Sequence, residues 1–230
     1  MDRKKLFNIL SFVSNLIIFG IVTWAVAFYF YIDVGAGNMR VTGVECFKFF
    51  TVDSNILLAI ASGIYLYFNI NRLMGKEIET PNWLKIFKYV ATNAGAITFF
   101  VVLFFLMPGG ALFQDLSPSY FYEDNCMVLH GFAPILGMLT LILFEKEDRI
   151  ERKFTYLIFI PPIIYGIVYF ACVVFAKVWE DFYGFTFGGR LYLAPLAAIA
   201  VLAIAYGADE LLYFLQKLCI NKLKDKKNVE

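Results

Sequence analysis

The chain holds one histidine, His130, and its four cysteines form no CxxC pair. A zinc centre of imidazole and thiolate ligands therefore has no basis in the sequence, and no metal or cofactor is expected. Charge is scarce too: 17% of the 230 residues are Asp, Glu, Lys or Arg, and the net charge is +1. Such a balance offers no field for gathering nucleic acid, and no Lys/Arg-rich face or RNA-binding signature stands against that. Internal repeats, low-complexity stretches and long linkers are absent, so residues 1–230 read as a single domain. What is abundant is apolar surface, at 60% of residues with 19% aromatic. A soluble domain carries far less, and an integral membrane protein is the implied class.

Six apolar segments each approach the roughly 20 residues needed to cross about 30 Å of hydrocarbon. They run from Leu6 to Ile32, Cys46 to Ile70, Ile86 to Met107, Met127 to Phe144, Phe154 to Ala176 and Leu191 to Leu215. Unsatisfied backbone groups are not tolerated in lipid and the alternation of a barrel strand is missing, so an all-α bundle of six transmembrane helices is expected. Sixteen of the twenty Lys and Arg flank one side: the N-terminal group from Arg3, the loop with Arg72, Lys76, Lys85 and Lys88, the loop with Lys146, Arg149, Arg152 and Lys153, and the tail from Lys217. Arg40, Lys48, Lys177 and Arg190 fall on the other. The positive-inside rule then puts both termini in the cytoplasm, in a multi-pass protein of the plasma membrane. The first segment, at about 27 residues, exceeds a typical signal-peptide core and reads as a retained span.

Two stretches interrupt this apolar background. Phe47 to Leu57 places Thr51, Asp53, Ser54 and Asn55 at the start of the second span, and Leu129 to Leu136 opens the fourth with His130 and Pro134. Polar groups in hydrocarbon are costly, and an ionisable one is a functional hypothesis by default. Both spans enter from the same face, so Thr51 and His130 lie at similar depth, some 5–8 Å below the boundary at about 1.5 Å per residue. Helical periodicity gathers Thr51, Asn55 and Ser62 on one face with Ser54 beside them, while Asp53 lies about 200° round from Thr51. Small polar residues of this kind also serve simply as interhelical hydrogen bonds, and a threonine hydroxyl can satisfy itself on its own backbone.

The Phe-Phe-Thr-x-x-Ser-Asn run from Phe49 to Asn55 and the Leu-His-x-x-x-Pro-x-Leu run from Leu129 to Leu136 resemble the androgen-induced membrane protein family and its microbial relatives. Pro161, Pro162 and Tyr165, with the aromatic loop Trp179 to Phe185, resemble further features of that family more loosely. Its animal members hydrolyse fatty acid esters of hydroxy fatty acids with a threonine and a histidine. The resemblance implies the same catalytic pair in Thr51 and His130, and gives Asp53 no role.

Threonine is a weak nucleophile at its free pKa, so a base must take its proton as it attacks an ester carbonyl, and His130 is the one imidazole. Attack by water with His130 as base is the alternative route. An oxyanion needs donors, for which Asn55, Ser54, Asn93 and Asn125 are candidates, with Asn55 favoured. Asp124, Asp53, Glu45 or a backbone carbonyl could orient the imidazole. The expected substrate is a lipid ester held among membrane lipids, with Phe47, Phe49, Phe50, Phe99, Phe100, Phe104 and Phe105 as candidate acyl-channel walls. The Trp179 to Phe185 loop reads first as aromatic belt and second as a lid. Cys46 and Cys126, close before Thr51 and His130, read as two free interfacial thiols, or as a disulfide if their helices touch. Asp209 and Glu210 read as boundary carboxylates near Lys217. A non-enzymatic lipid-binding or small-solute transport protein would use the same polar stripe to line a cavity.

Overall fold

The computed structural model describes residues 3–32, 41–113, 117–145 and 149–227. The segmentation of hydropathy is realised as helices, and among the described residues no strand forms. Five helices are long and apolar enough to cross a membrane, which with the composition makes this a membrane protein. We label the helices α1 (Arg3–Phe28), α2 (Phe50–Leu73), α3 (Asn82–Leu112), α4 (Val128–Phe144), α5 (Arg152–Phe175) and α6 (Ala194–Lys227). The apolar α4 is the shorter one, at 17 residues. The expected borders shift at several ends. α1 stops at Phe28 rather than Ile32, a 3-10 turn (Gly43–Lys48) precedes α2, and α3 begins at Asn82 behind Pro81 rather than at Ile86. Of the basic residues used to orient the chain, Arg40 and Lys146 lie outside the described residues.

α3 is the central element, packing against α2, α4, α5 and α6, while α1 covers α2 and α4. Close approach is made by small residues. Gly95 of α3 and Gly137 of α4 both face Leu58 of α2, and a Cβ on Gly137 would fall 2.9 Å from Leu58 Cδ2. Leu58 is fully buried in consequence.

Proline sets the local irregularities. Pro134 has no N–H for the carbonyl of His130, so the ordinary i+4 bond cannot form there. The preceding residues Val128–Phe132 widen into a π-helical turn, and the Ala133 N–H reaches back five residues to the Val128 carbonyl. Pro108 stands in the same relation to the π turn Val102–Leu106. α5 instead starts as a 3-10 stretch (Arg152–Phe159) and becomes α-helical where Pro161 and Pro162 occupy its first turn, where a missing N–H costs least.

Candidate functional site

Thr51 stands in the first turn of α2, where it lines a cavity of about 510 Å³ between α2, α3, α5 and α6. The walls are apolar apart from hydroxyl groups, those of Thr51, Thr98, Tyr165 and Tyr183. Ser54 one turn on donates to the Thr51 carbonyl at 3.1 Å and pairs with the Thr98 hydroxyl at 2.8 Å. The rim of this chamber thus carries a short chain of hydroxyls on a greasy surface.

The loop after α5 closes one side of the cavity. Asp181 fixes it: Oδ1 accepts from the Tyr169 hydroxyl at 2.6 Å and the Phe185 N–H at 2.9 Å, and Oδ2 from the N–H and hydroxyl of Thr186 at 2.8 and 2.6 Å. Burial alone would raise this carboxyl, but those bonds hold it below its ordinary value. Gly184 takes a φ of +70°, which a side chain would resist, and turns the chain so that Tyr183 points back at α2. The Tyr183 oxygen accepts from the Phe50 N–H at 3.2 Å and lies within hydrogen-bonding reach of the Thr51 and Tyr165 side chains. Burial pushes its pKa up to about 12, so at neutral pH it stays a protonated donor. Trp179, Phe182, Tyr183 and Phe185 all stack around Tyr169. Tyr183 and Phe185 of this loop line the chamber.

His130 sits in the π turn of α4. Its Nδ1 lies 2.6 Å from the Phe121 carbonyl. A carbonyl only accepts, so Nδ1 carries the hydrogen and Nε2 the lone pair needed of a base. The imidazole is therefore oriented by a backbone carbonyl, and none of the three carboxylates considered for that place takes it. Asp124 is exposed at a positive φ of 48°, and Glu45 pairs with Lys48 at 3.5 Å. Asp53 lines a neighbouring groove of about 570 Å³ with Trp83 and Trp179, which shares Phe50 and Tyr165 with the Thr51 chamber but does not include Thr51.

Asn55 joins the two motifs. Its Nδ2 donates to the Thr51 carbonyl at 2.7 Å and to the Leu129 carbonyl at 2.8 Å. The two oxygens can be no further apart than the sum of those bonds, so the Thr51 and His130 segments are neighbours across α2 and α4. With both its N–H bonds committed, Asn55 is a tie between helices rather than the favoured oxyanion donor. Ser54 has likewise committed its hydrogen, and Asn125 donates one Nδ2 hydrogen to the Ala25 carbonyl at 2.8 Å and does not line the chamber. Asn93 is the exception: fully buried, neither side-chain atom finds a partner among the described residues, yet it does not line the chamber. Nor does His130, and no hydrogen bond joins it to Thr51 among the described residues. The neutral donor beside Thr51 is Tyr183, whose only sequence signal was membership of an aromatic loop.

Cys46 and Cys126 are free thiols, and burial followed by the charge of Asp53 raises Cys46 to about 11. Among the seven phenylalanines considered for the channel, Phe50 lines the chamber, whereas Phe104 and Phe105 are exposed. Asp209 and Glu210 pair with Arg152, and Asp209 also accepts from the Tyr89 hydroxyl at 2.6 Å. Lys88, counted above as a loop residue, is fully buried in α3, where it donates to Asn15 at 2.5 Å and Ser62 at 2.7 Å.

These features define a helical membrane protein with a hydroxyl-rimmed apolar chamber and, on the helix tied to it by Asn55, an imidazole oriented by a backbone carbonyl. Compared with family models, curated proteins and solved structures, the chain matches none.

Proposed function

We propose that this protein is an intramembrane hydrolase of lipid esters, of the fatty acid ester of hydroxy fatty acid type, with Thr51 as nucleophile and His130 as base. The observation that carries the reading is the position of Thr51 in the wall of an apolar chamber of about 510 Å³, on a helix tied by Asn55 to the turn bearing His130. A chamber of that size and character suits an acyl chain with few polar contacts. In the reaction, Thr51 Oγ attacks the ester carbonyl carbon while Nε2 of His130 accepts the hydroxyl proton. Collapse of the tetrahedral intermediate expels the alcohol, which takes that proton, and leaves an acyl-threonine. Water activated by the same imidazole then releases the acid. Tyr183, protonated and beside Thr51, is the donor suited to the developing oxyanion.

The same reading takes α4 as a sixth span and both termini as cytoplasmic. It is supported by the grouping of Lys4, Lys5, Arg72, Lys76, Lys85, Arg149, Lys153 and Lys217 at the ends where α1, α3 and α5 begin and α2, α4 and α6 finish. One observation favours the rival, a lipid-binding protein without hydrolysis: His130 is outside the chamber lining. Labelling of the purified protein with a fluorophosphonate probe separates the two. Thr51→Ala and His130→Ala should each lower labelling by roughly 10³-fold while remaining folded. Undiminished labelling in both would leave the hydrolase reading without support and keep lipid binding.

A further inference from the structure

A second cleft, of about 780 Å³, opens at the end of the bundle where α1 and α3 begin and α2 and α4 finish. Lys4, Lys5, Arg72, Lys76 and Lys85 line it, and Glu145, 3% exposed, lines it from the end of α4. Glu77 and Glu79 also border it, leaving five cations to three carboxylates among its described lining residues. Its wall is shaped by Arg72, which donates to the Ile78 carbonyl at 3.3 Å and the Thr80 hydroxyl at 2.6 Å and so folds the α2–α3 connection over the opening.

Glu145 is the informative group. Its Oε1 accepts from Ser11 at 3.1 Å and from Asn15 at 2.6 Å, whereas its buried Oε2 has no donor among the described residues. A buried carboxylate oxygen without a donor is costly. A purely anionic ligand would be drawn by the lysines but repelled by this oxygen. A ligand pairing an anion with a hydroxyl or ammonium donor satisfies both.

We propose that this cleft binds a phosphate ester carrying a hydrogen-bond donor beside the phosphate, of the phosphoglycerol or phosphoethanolamine kind. The phosphate lies among the lysines and Arg72, and the donor reaches Oε2 of Glu145. Because α1 and α3 enter the apolar region within a few residues of the cleft, a phospholipid headgroup can reach it from the bilayer surface, where each basic side chain adds to attraction for an anionic lipid. The site is separate from Thr51 and does not rest on the hydrolase reading.

The test is titration of the detergent-solubilised full chain with dioctanoyl phosphatidylglycerol, read by thermal stability, with dioctanoyl phosphatidylcholine, which has a phosphate but no donor, as reference. Lys5→Gln/Lys76→Gln removes two exposed cleft cations. Lys153→Gln/Lys217→Gln removes the same charge at the same end of the bundle outside the cleft. The phosphatidylglycerol affinity should exceed that for phosphatidylcholine, fall roughly tenfold or more in the first double variant, and persist in the second. If glycerol 1-phosphate reproduces the stabilisation with the same variant pattern, the bound species is the soluble ester; if it does not, it is the lipid. Equal losses in both double variants, or no preference for phosphatidylglycerol over phosphatidylcholine, would overturn the proposal.

Discussion

The two ends of the bundle handle polar groups in opposite ways. Around Lys88, donors and acceptors from four helices are nearly all engaged: Lys88 on Asn15 and Ser62, Asn15 and Ser11 on Glu145, and Asn69 on Ser11 at 3.2 Å. The ammonium also lies 5.4 Å from the centroid of the Tyr65 ring. Around Thr51, the polar groups are fewer and keep unused capacity: Thr51 on a cavity wall, Nε2 of His130 without a hydrogen-bond partner among the described residues, Tyr183 within reach of Thr51. In a low-dielectric interior a committed polar group stabilises a packing arrangement, whereas an uncommitted one is available to a ligand. By that criterion the Lys88 network is structural apart from the unpartnered Oε2 of Glu145 at the basic cleft, and the Thr51 end is where the proposed chemistry would sit.

The strongest way to break this comparison is to remove Lys88. Lys88→Met should cost about 3–5 kcal/mol, because Glu145 and the Asn15 amide then lose the buried cation they are arranged around. Adding Glu145→Gln should recover much of it, since the remaining groups are neutral. Thermal unfolding in detergent reads both. If Lys88→Met leaves stability untouched but abolishes ester hydrolysis, the two ends are not divided in the way stated.

A smaller effect tests the barrier between the ends. Leu58, without exposed surface, lies on α2 between Ser54 and Asn55 on one side and Ser62 on the other, against Gly95 and Gly137. Gly137→Ala places a methyl 2.9 Å from Leu58 Cδ2 and should destabilise by about 1–2 kcal/mol. Combined with Leu58→Ala, which alone should cost about 2–5 kcal/mol, the loss should be less than additive. Strict additivity in a double-mutant cycle would mean that the contact does not separate the ends.

How far the arrangement was legible in the sequence follows from the same division. The stripe of Ser54, Asn55 and Ser62 was readable because helical periodicity is local, and all three are fully buried. The turn under His130 was implicit in Pro134, whose missing donor acts within one turn. Lys88 was not readable, because a lysine near a membrane edge looks like a loop residue. What draws it inside is Asn15, a residue 73 positions away. The role of Asn55 was misjudged for a related reason: its second acceptor, the Leu129 carbonyl, belongs to another helix, and a donor already used cannot be told from a free one without that contact. Tyr183 reaches Thr51 through a loop geometry set by Asp181 and Gly184, for which hydropathy has no signal.

The finest probe of the Thr51 end is the pH response of the loop that lines its chamber. Asp181 is partly exposed, and its carboxyl is pushed up by burial but held below 3.8 overall by Thr186, Tyr169 and the Phe185 N–H. Since the folded value lies below the unfolded one, the contribution is complete above 3.8, and it is lost as pH falls through the depressed folded value. Acid should therefore loosen the loop only below the ordinary carboxylate range, seen as a change in Trp179 emission referenced to Trp179→Phe. Asp181→Asn should remove that transition, because the amide keeps one acceptor oxygen but sets an NH₂ group against N–H and O–H donors. The loop should then be open to chymotrypsin at neutral pH while Lys88-dependent thermal stability is unchanged. If Asp181→Asn lowers global stability as much as Lys88→Met does, the loop belongs to the structural core, and spare hydrogen-bonding capacity is no guide to where the proposed chemistry would lie.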